Sequence, residues 1–122
     1  MNNEELIAYC LTKPGAVHDY KAEWEADRVC VFGKMFALLG ELNGRPIISL
    51  KSNPDRSDIL RQTYPDVIPG YYLNKNHWNS MFFDGALTID FIQESIDHSY
   101  NLIVQGLPKK TQALLKAPQQ AE

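Results

Sequence analysis

The residues best suited to chemistry lie in one short segment, residues 69–80, which combines amides, aromatic rings, a lysine and an imidazole. Amides and cations can hold phosphate oxygens while an aromatic ring stacks on a base or sugar. The same residues also have a structural use, because asparagines satisfy turn amides and a tryptophan can fill a core. The candidate nucleic-acid contacts here are Lys75, His77 and Asn79, and the aromatic residues assigned either to contact or to core are Tyr71, Tyr72 and Trp78.

A set of basic residues forms the second candidate surface. Gathered on one face they would contact a polyanion, whereas scattered solvated charge is the simpler alternative. The net charge of −3 argues against strong non-specific binding to nucleic acid, which depends on neutralising phosphates. Residues 45–80 nevertheless carry five basic and three acidic side chains, so a modest basic face is possible. Besides Lys75, the basic candidates are Lys51, Arg56, Arg61, Lys109 and Lys110.

Glu94, Asp97 and His98 have the i, i+3, i+4 spacing with which one helix face can bind a divalent ion or hold an acid–base pair. A charged outer helix face explains them equally well, and no second ligand cluster completes a coordination shell. The three histidines are far apart in the sequence, and GxSxG, Walker A and GxGxxG motifs are absent. The sequence therefore predicts no catalytic residues, metal or cofactor.

Composition indicates a folded globular protein. With 122 residues, 44% hydrophobic and 22% charged, the chain suits one domain that needs neither disulfide nor metal to fold. No apolar run approaches the roughly 18 residues of a membrane span, and the acidic N-terminus lacks a secretory signal pattern. We therefore expect a cytoplasmic protein without a membrane partner, with a monomer favoured. Cys10 and Cys30 fall in apolar stretches and are expected to be buried free thiols.

Capping residues and hydrophobic periodicity predict a helix, a strand meander, a second helix, a hairpin and a third helix. Asn2 or Asn3 can cap the first helix. Apolar and β-branched runs predict strands at residues 29–32, 35–39 and 46–50, with Asn43-Gly44 as a tight hairpin turn. Strands and helices in this order, without βαβ regularity, predict an α+β fold with an antiparallel sheet.

The second half begins with Asn53-Pro54, a cap followed by a first-turn proline, which predicts a helix to about Tyr64. Two strands are expected at residues 71–74 and 78–83. Alternation along the latter would place His77 and Asn79 on one face and Trp78 and Ser80 on the other. A long helix capped by Thr88 is expected next, with Asp97 facing water, and a short basic helix to Lys116 follows it. The predicted domain is therefore residues 1–116, and residues 117–122 are expected to be a frayed tail.

Short motifs spread over nearly the whole chain, to about Leu115, form one recognisable pattern. They are Gly33-Lys-Met-Phe-Ala, Lys51-Ser-Asn-Pro-Asp, Leu60-Arg61, Pro69-Gly-Tyr, Asn74-Lys75, His77-Trp-Asn, Ser99-Tyr100 and Leu107-Pro-Lys-Lys. Together these motifs resemble the MmcQ/YjbR family. The resemblance implies a two-layer α+β domain of CyaY-like arrangement, with helices packed on one face of an antiparallel sheet. It also implies DNA binding, since the family is commonly described as DNA-binding through a double-wing arrangement of hairpins.

The sequence departs from the family pattern at the hairpin. Tyr72 stands where histidine is common, Leu73 where methionine is, Asn76 where a basic residue is frequent, and Ser80 where threonine is. This hairpin is therefore less cationic than its relatives. Two hypotheses follow: weak, backbone-directed DNA binding, or a protein- or small-ligand-interaction module whose contact surface is the helix-free sheet face near Tyr71, Tyr72 and His77, without catalysis.

Overall fold

The fold, taken from a computed structural model that describes residues 1–120 and the side chains of residues 1–115, is the predicted α+β arrangement of one antiparallel sheet and four helices. The helices are α1 (Asn3–Cys10), α2 (Pro54–Thr63), α3 (Ile89–Gln105) and α4 (Lys109–Gln120). The strands are β1 (Ala16–Lys21), β2 (Ala26–Val31), β3 (Lys34–Leu42), β4 (Arg45–Lys51), β5 (Val67–Pro69) and β6 (Trp78–Phe82), with a 3₁₀ turn at Ala22–Trp24.

The six strands lie in the order β1-β2-β3-β4-β6-β5, and every neighbouring pair is antiparallel. Two-residue turns join β2 to β3 and β3 to β4. The predicted Asn43-Gly44 turn is confirmed, because Leu42 pairs with Arg45 and both turn residues have positive φ (53° and 78°). Positive φ at both central positions matches the right-handed twist of the strands. The β2–β3 turn is Phe32-Gly33, one residue earlier than the predicted Gly33-Lys34.

Side chains cap the helices as the sequence predicts. Asn2 accepts a hydrogen bond from the amide of Glu5, Asn53 from that of Arg56, and Thr88 from that of Phe91. Each satisfies a backbone donor that the helix itself leaves free. No helix within residues 1–120 is long and apolar enough to cross a membrane.

The helices cover one face of the sheet. Residues opposite each other on antiparallel strands share a face, and the row Leu39, Ile48 and Met81 is buried in the hydrophobic core. Ile92 and Ile96 of α3 belong to the same core, as does Cys10 of α1. Cys10 and Cys30 are buried free thiols, as predicted. The other face carries Leu38, Ser49 and Ser80 in one row, and no α-helix of residues 1–120 covers it.

Two sequence predictions about the second half are wrong. Residues 71–74 do not form a strand; the partner of β6 is β5, and residues 70–77 are the loop between them. Pro69 in β5 is tolerated because β5 is an edge strand. The last helix continues to Gln120, beyond Lys116, so the predicted frayed tail is helical at residues 117–120, and residues 121–122 lie outside the described residues.

Candidate functional site

The loop of residues 70–77 folds back across the helix-free face of the sheet. The amide of Tyr71 donates to Ser80 Oγ at 3.0 Å, and Ser80 Oγ lies 2.6 Å from Ser49 Oγ. Asn74 Oδ1 accepts from the amides of Asn76 and His77, the turn-stabilising role open to these asparagines. The loop is therefore tied to the strands by its own backbone, and it buries two serines that would otherwise face solvent.

Gly70 allows this close approach. A Cβ at Gly70 would lie 2.8 Å from Trp78 Cβ and 3.0 Å from the Trp78 carbonyl oxygen. The Gly70 amide donates to that carbonyl at 2.9 Å, and the ammonium of Lys75 donates to the Gly70 carbonyl at 2.8 Å. Only glycine leaves room for the chain to turn from β5 directly onto the sheet face.

A groove of about 640 Å³ lies on this face between the loop and the 3₁₀ turn. Its floor comes from Leu38 and Gly40 of β3 and Ile47 of β4, and Gly40 pairs with Ile47 in register. Cavities of roughly 300–1,000 Å³ are of the size that holds small organic ligands.

Aromatic rings form the walls of the groove. Trp24 of the 3₁₀ turn is 54% exposed and Tyr72 of the loop is 88% exposed, and the rings of Tyr71 and Tyr72 contact each other with centroids 4.4 Å apart. Glu25 and Tyr72 both adopt positive φ (49° and 60°), a conformation that costs energy for residues other than glycine. Such strained positions concentrate at binding and catalytic sites.

The groove was only partly visible in the sequence. Tyr71 and Tyr72 were candidate contacts, whereas Trp24, Gly40 and Glu41 were not recognised. A tryptophan flanked by two glutamates (Glu23-Trp24-Glu25) is a poor core segment, and this local pattern could have indicated an exposed ring.

Four of the predicted nucleic-acid contacts meet at one end of the sheet, where β4 ends and β6 begins. Lys51 pairs in register with Trp78, the Ser52 amide donates to the His77 carbonyl at 2.9 Å, and Arg61 donates to the carbonyl of Lys75. His77 and Lys75 are exposed, while Trp78 is half-buried and absent from the core cluster. Lys51, Lys75 and His77 thus lie at the same end of the sheet, next to Arg61, and their role as nucleic-acid contacts stays a prediction.

Asn79 and Arg61 are not available to a ligand in this conformation, contrary to expectation. Asn79 is fully buried; its Oδ1 accepts from Arg61 Nε at 2.6 Å and its Nδ2 donates to the Ser57 carbonyl at 3.4 Å. Arg61 also donates to the Trp78 carbonyl at 3.2 Å. The predicted alternation along β6 is confirmed, since Asn79 lies on the helix-covered face with Met81 and Ser80 lies on the other face. Both residues are nevertheless buried, because α2 covers Asn79 and the loop covers Ser80.

The remaining basic candidates lie on the helices. Arg56 is half-buried in α2, with its Nη2 3.8 Å from Glu94 Oε1 of α3. Lys109 and Lys110 are exposed in the first turn of α4. They belong to a different element from the hairpin, and they share no described contact with Lys75 or His77.

The Glu94, Asp97 and His98 cluster is divided among separate contacts, and no group of three or more possible metal ligands occurs within the described residues. Asp97 does not simply face water, as predicted: it accepts a hydrogen bond from the Tyr9 hydroxyl at 2.7 Å and pairs with Lys13. This bond raises the pKa of Tyr9. His98 turns inward, and burial, with a contribution from Arg56, lowers its pKa.

These observations define a class of protein: a single-sheet α+β domain that keeps its helices on one face and a small aromatic groove on the other. The YjbR family model matches residues 11–102, and the chain belongs to the YjbR family. The predicted family resemblance is therefore confirmed. The family assignment itself specifies neither a ligand nor a reaction.

Relatives and solved structures agree with this assignment. The chain is 38% identical to uncharacterized protein YjbR of Escherichia coli K12 over 94% of this chain and 98% of that one. It is 41% identical to uncharacterized protein YbdF of Escherichia coli O157:H7 over 72% of each chain. The crystal structure of Deinococcus radiodurans protein DR2400, with a DUF419 domain, superposes with a TM-score of 0.83 at 29% identity, covering 93% of this chain and 86% of that one. A crystal structure from Pseudomonas syringae gives a TM-score of 0.73 at 28% identity, covering 84% and 98%.

Proposed function

We propose that this protein is a small-ligand-binding module, without catalysis, whose binding site is the groove on the helix-free face of the sheet. The observation that carries the proposal is the groove itself: about 640 Å³ with an apolar floor and exposed aromatic walls. Exposed aromatic rings around a concave apolar floor are typical of sites that bury an organic ligand.

The rigid surroundings of the groove support the proposal. The floor belongs to the paired strands β3 and β4, and the loop that carries Tyr71 and Tyr72 is held by hydrogen bonds to Ser80 and Trp78. A pre-organised site loses less conformational entropy when a ligand binds. Glu25 and Tyr72 keep a positive φ that costs conformational energy, and such strain is typical of residues whose position matters for binding.

The first experiment uses 2-phenylethanol as a neutral aromatic probe and follows the two tryptophan indole N–H signals by NMR. Trp24 lines the groove and Trp78 does not, so each signal reports a different surface. We expect saturable shifts of Trp24 with a Kd of roughly millimolar, as befits a small fragment, and little change at Trp78. Absence of saturable binding at Trp24 would contradict the proposal.

The variant Gly40→Val tests the site without removing a contact. A Cβ at Gly40 would lie 3.5 Å from Ala26 Cβ, an ordinary contact, and valine suits a strand. The added side chain fills the groove floor, so probe binding should be lost while the fold is kept. Ile59→Val is the matched control, because Ile59 is a 62% exposed apolar residue on α2, outside the groove.

Weak DNA binding is a second candidate function, favoured by the gathering of Lys51, Lys75 and His77 at one end of the sheet. Few free cations imply low affinity with a shallow salt dependence. Duplex and single-stranded DNA, titrated at low and moderate salt, should then shift the Trp78 signal, and Lys75→Ala/His77→Ala should abolish the effect. Absence of DNA binding at low salt would remove this candidate.

A further inference from the structure

We infer, resting on the proposed function, that the ligand of the groove is an organic cation: a protonated or quaternary amine carried on an apolar or aromatic body. The inference deepens the proposal by giving the ligand a charge. It rests on the carboxylates at the rim, on the ion pairs that already engage the neighbouring lysine and arginine, and on the aromatic rings of the walls.

The rim of the groove is acidic. Glu23 and Glu25 line it, and no lysine or arginine does so among the described residues. Glu41 also borders the groove, but its side chain lies on the helix-covered face, because side chains alternate along β3 and Gly40 faces the groove. Glu23 and Glu25 are exposed, so each alone would contribute little in water. Their effect arises together, because one ligand cation would interact with both carboxylates.

The cations on adjoining strands do not neutralise this rim. Lys21 is the exception that reduces it by one charge, since its Nζ lies 3.9 Å from Glu23 Oε2. Arg45 of β4 is already bound to Asp84, with Nη2 2.8 Å from Oδ1. That bond lowers the pKa of Asp84, which keeps the pair ionised. Glu23 and Glu25 against Lys21 leave a net charge of −1 at the groove.

Aromatic rings on this side of the sheet already contact cations. The ammonium of Lys21 lies 5.7 Å from the centroid of the Trp24 ring, and the guanidinium of Arg45 lies 4.0 Å from that of Phe82. A cation over a tryptophan or tyrosine face is attracted by the negative face of the ring. Trp24, Tyr71 and Tyr72 therefore offer a ligand cation the same interaction, beside the carboxylates and above an apolar floor.

The test compares three probes that share one aromatic body: 2-phenylethylammonium, 2-phenylethanol and 3-phenylpropionate. With the Trp24 signal as readout, we expect the ammonium to bind about tenfold more tightly than the alcohol, from one exposed cation–π contact and weak ion pairing. The carboxylate should bind more weakly than the alcohol. Added salt should reduce the affinity of the ammonium alone.

The variant Glu23→Gln/Glu25→Gln should reduce the preference for the ammonium to about twofold while leaving 2-phenylethanol binding unchanged. Glu4→Gln/Glu94→Gln, which removes two exposed charges from the helices, should keep the preference. Equal binding of all three probes at Trp24 would overturn the cation inference and leave the proposed function standing. Failure of all three to bind would overturn both.

Discussion

Arg61 Nε donates a hydrogen bond of 2.6 Å to the buried Oδ1 of Asn79, and this contact joins α2 to β6. The same guanidinium donates to the carbonyls of Lys75 and Trp78. One side chain thus holds both a strand and the end of the loop whose other end forms the groove wall. The arginine predicted to meet a polyanion instead stabilises the surface beside it.

Asn79→Ala should therefore lower the free energy of unfolding by about 2 kcal/mol, because it leaves a donor of the Arg61 guanidinium and the Ser57 carbonyl without their partner and opens a small cavity. Urea denaturation measures this loss. Asn76→Ala, at an exposed position of the loop just before β6, should change the free energy by less than about 0.5 kcal/mol. Equal effects of the two substitutions would show that the Arg61–Asn79 bond is not important for stability.

Ser99 provides a second test, because its hydroxyl links α3 to two strands. Ser99 Oγ donates to the Phe36 carbonyl at 2.6 Å and accepts from the Lys51 amide at 2.9 Å, in a fully buried position. Ser99→Ala leaves both backbone groups without this partner and should cost about 1–3 kcal/mol of stability.

Ser95 is the matched control, one helical turn away and equally buried. Its Oγ makes no hydrogen bond to another group of the described residues. Ser95→Ala should therefore be neutral or slightly stabilising, since it removes a buried polar atom at no loss of a bond. If thermal or urea denaturation ranks the two alanine variants in the opposite order, the bonds assigned to Ser99 do not stabilise the fold.

Local signals explain which parts of the fold were predictable. Asn43-Gly44 and Asn53-Pro54 each encode a backbone geometry in two adjacent residues, so the turn and the helix start were predicted from the sequence. The strand placed at residues 71–74 failed because Tyr71 and Tyr72 have high strand propensity, whereas the hydrogen bonds to Ser80 and Trp78 determine the loop. Tertiary contacts overrode local preference there.

The groove depended on information that no single segment contains. Its residues come from the 3₁₀ turn, β2, β3, β4 and the loop before β6, and they meet only because of the strand order and register. Gly40 gave no signal, since an isolated strand glycine indicates only a bulge or a close approach. Asn79 was predicted to be an exposed contact because a polar residue in a strand usually faces solvent. It is buried instead, because Arg61 and Ser57 of α2 form hydrogen bonds with its side chain.

The two cysteines should be protected from thiol reagents in the native state. Burial raises the pKa of Cys10 to about 12 and also raises that of Cys30, so little thiolate forms at neutral pH. Cys10 is completely buried and Cys30 is 9% exposed, so Cys30 should react first. Ellman's reagent should label both thiols rapidly only in denaturant. Rapid labelling of Cys10 in the native protein, or fewer than two thiols after denaturation, would contradict this arrangement.

His98 should make stability depend on pH below neutrality. Its Nε2 is buried without a hydrogen-bond partner among the described residues; burial and then the positive charge of Arg56 lower the pKa from its ordinary 6.5, while Glu94 opposes them. As pH falls below 6.5 the unfolded chain takes up a proton at His98 that the folded chain does not, which favours unfolding. The free energy of unfolding should therefore fall from pH 6.5 down to the folded-state pKa, and His98→Gln should show a flatter dependence. NMR titration of the His98 ring gives the pKa directly, and a value at or above 6.5 would show that the ring is not buried as described.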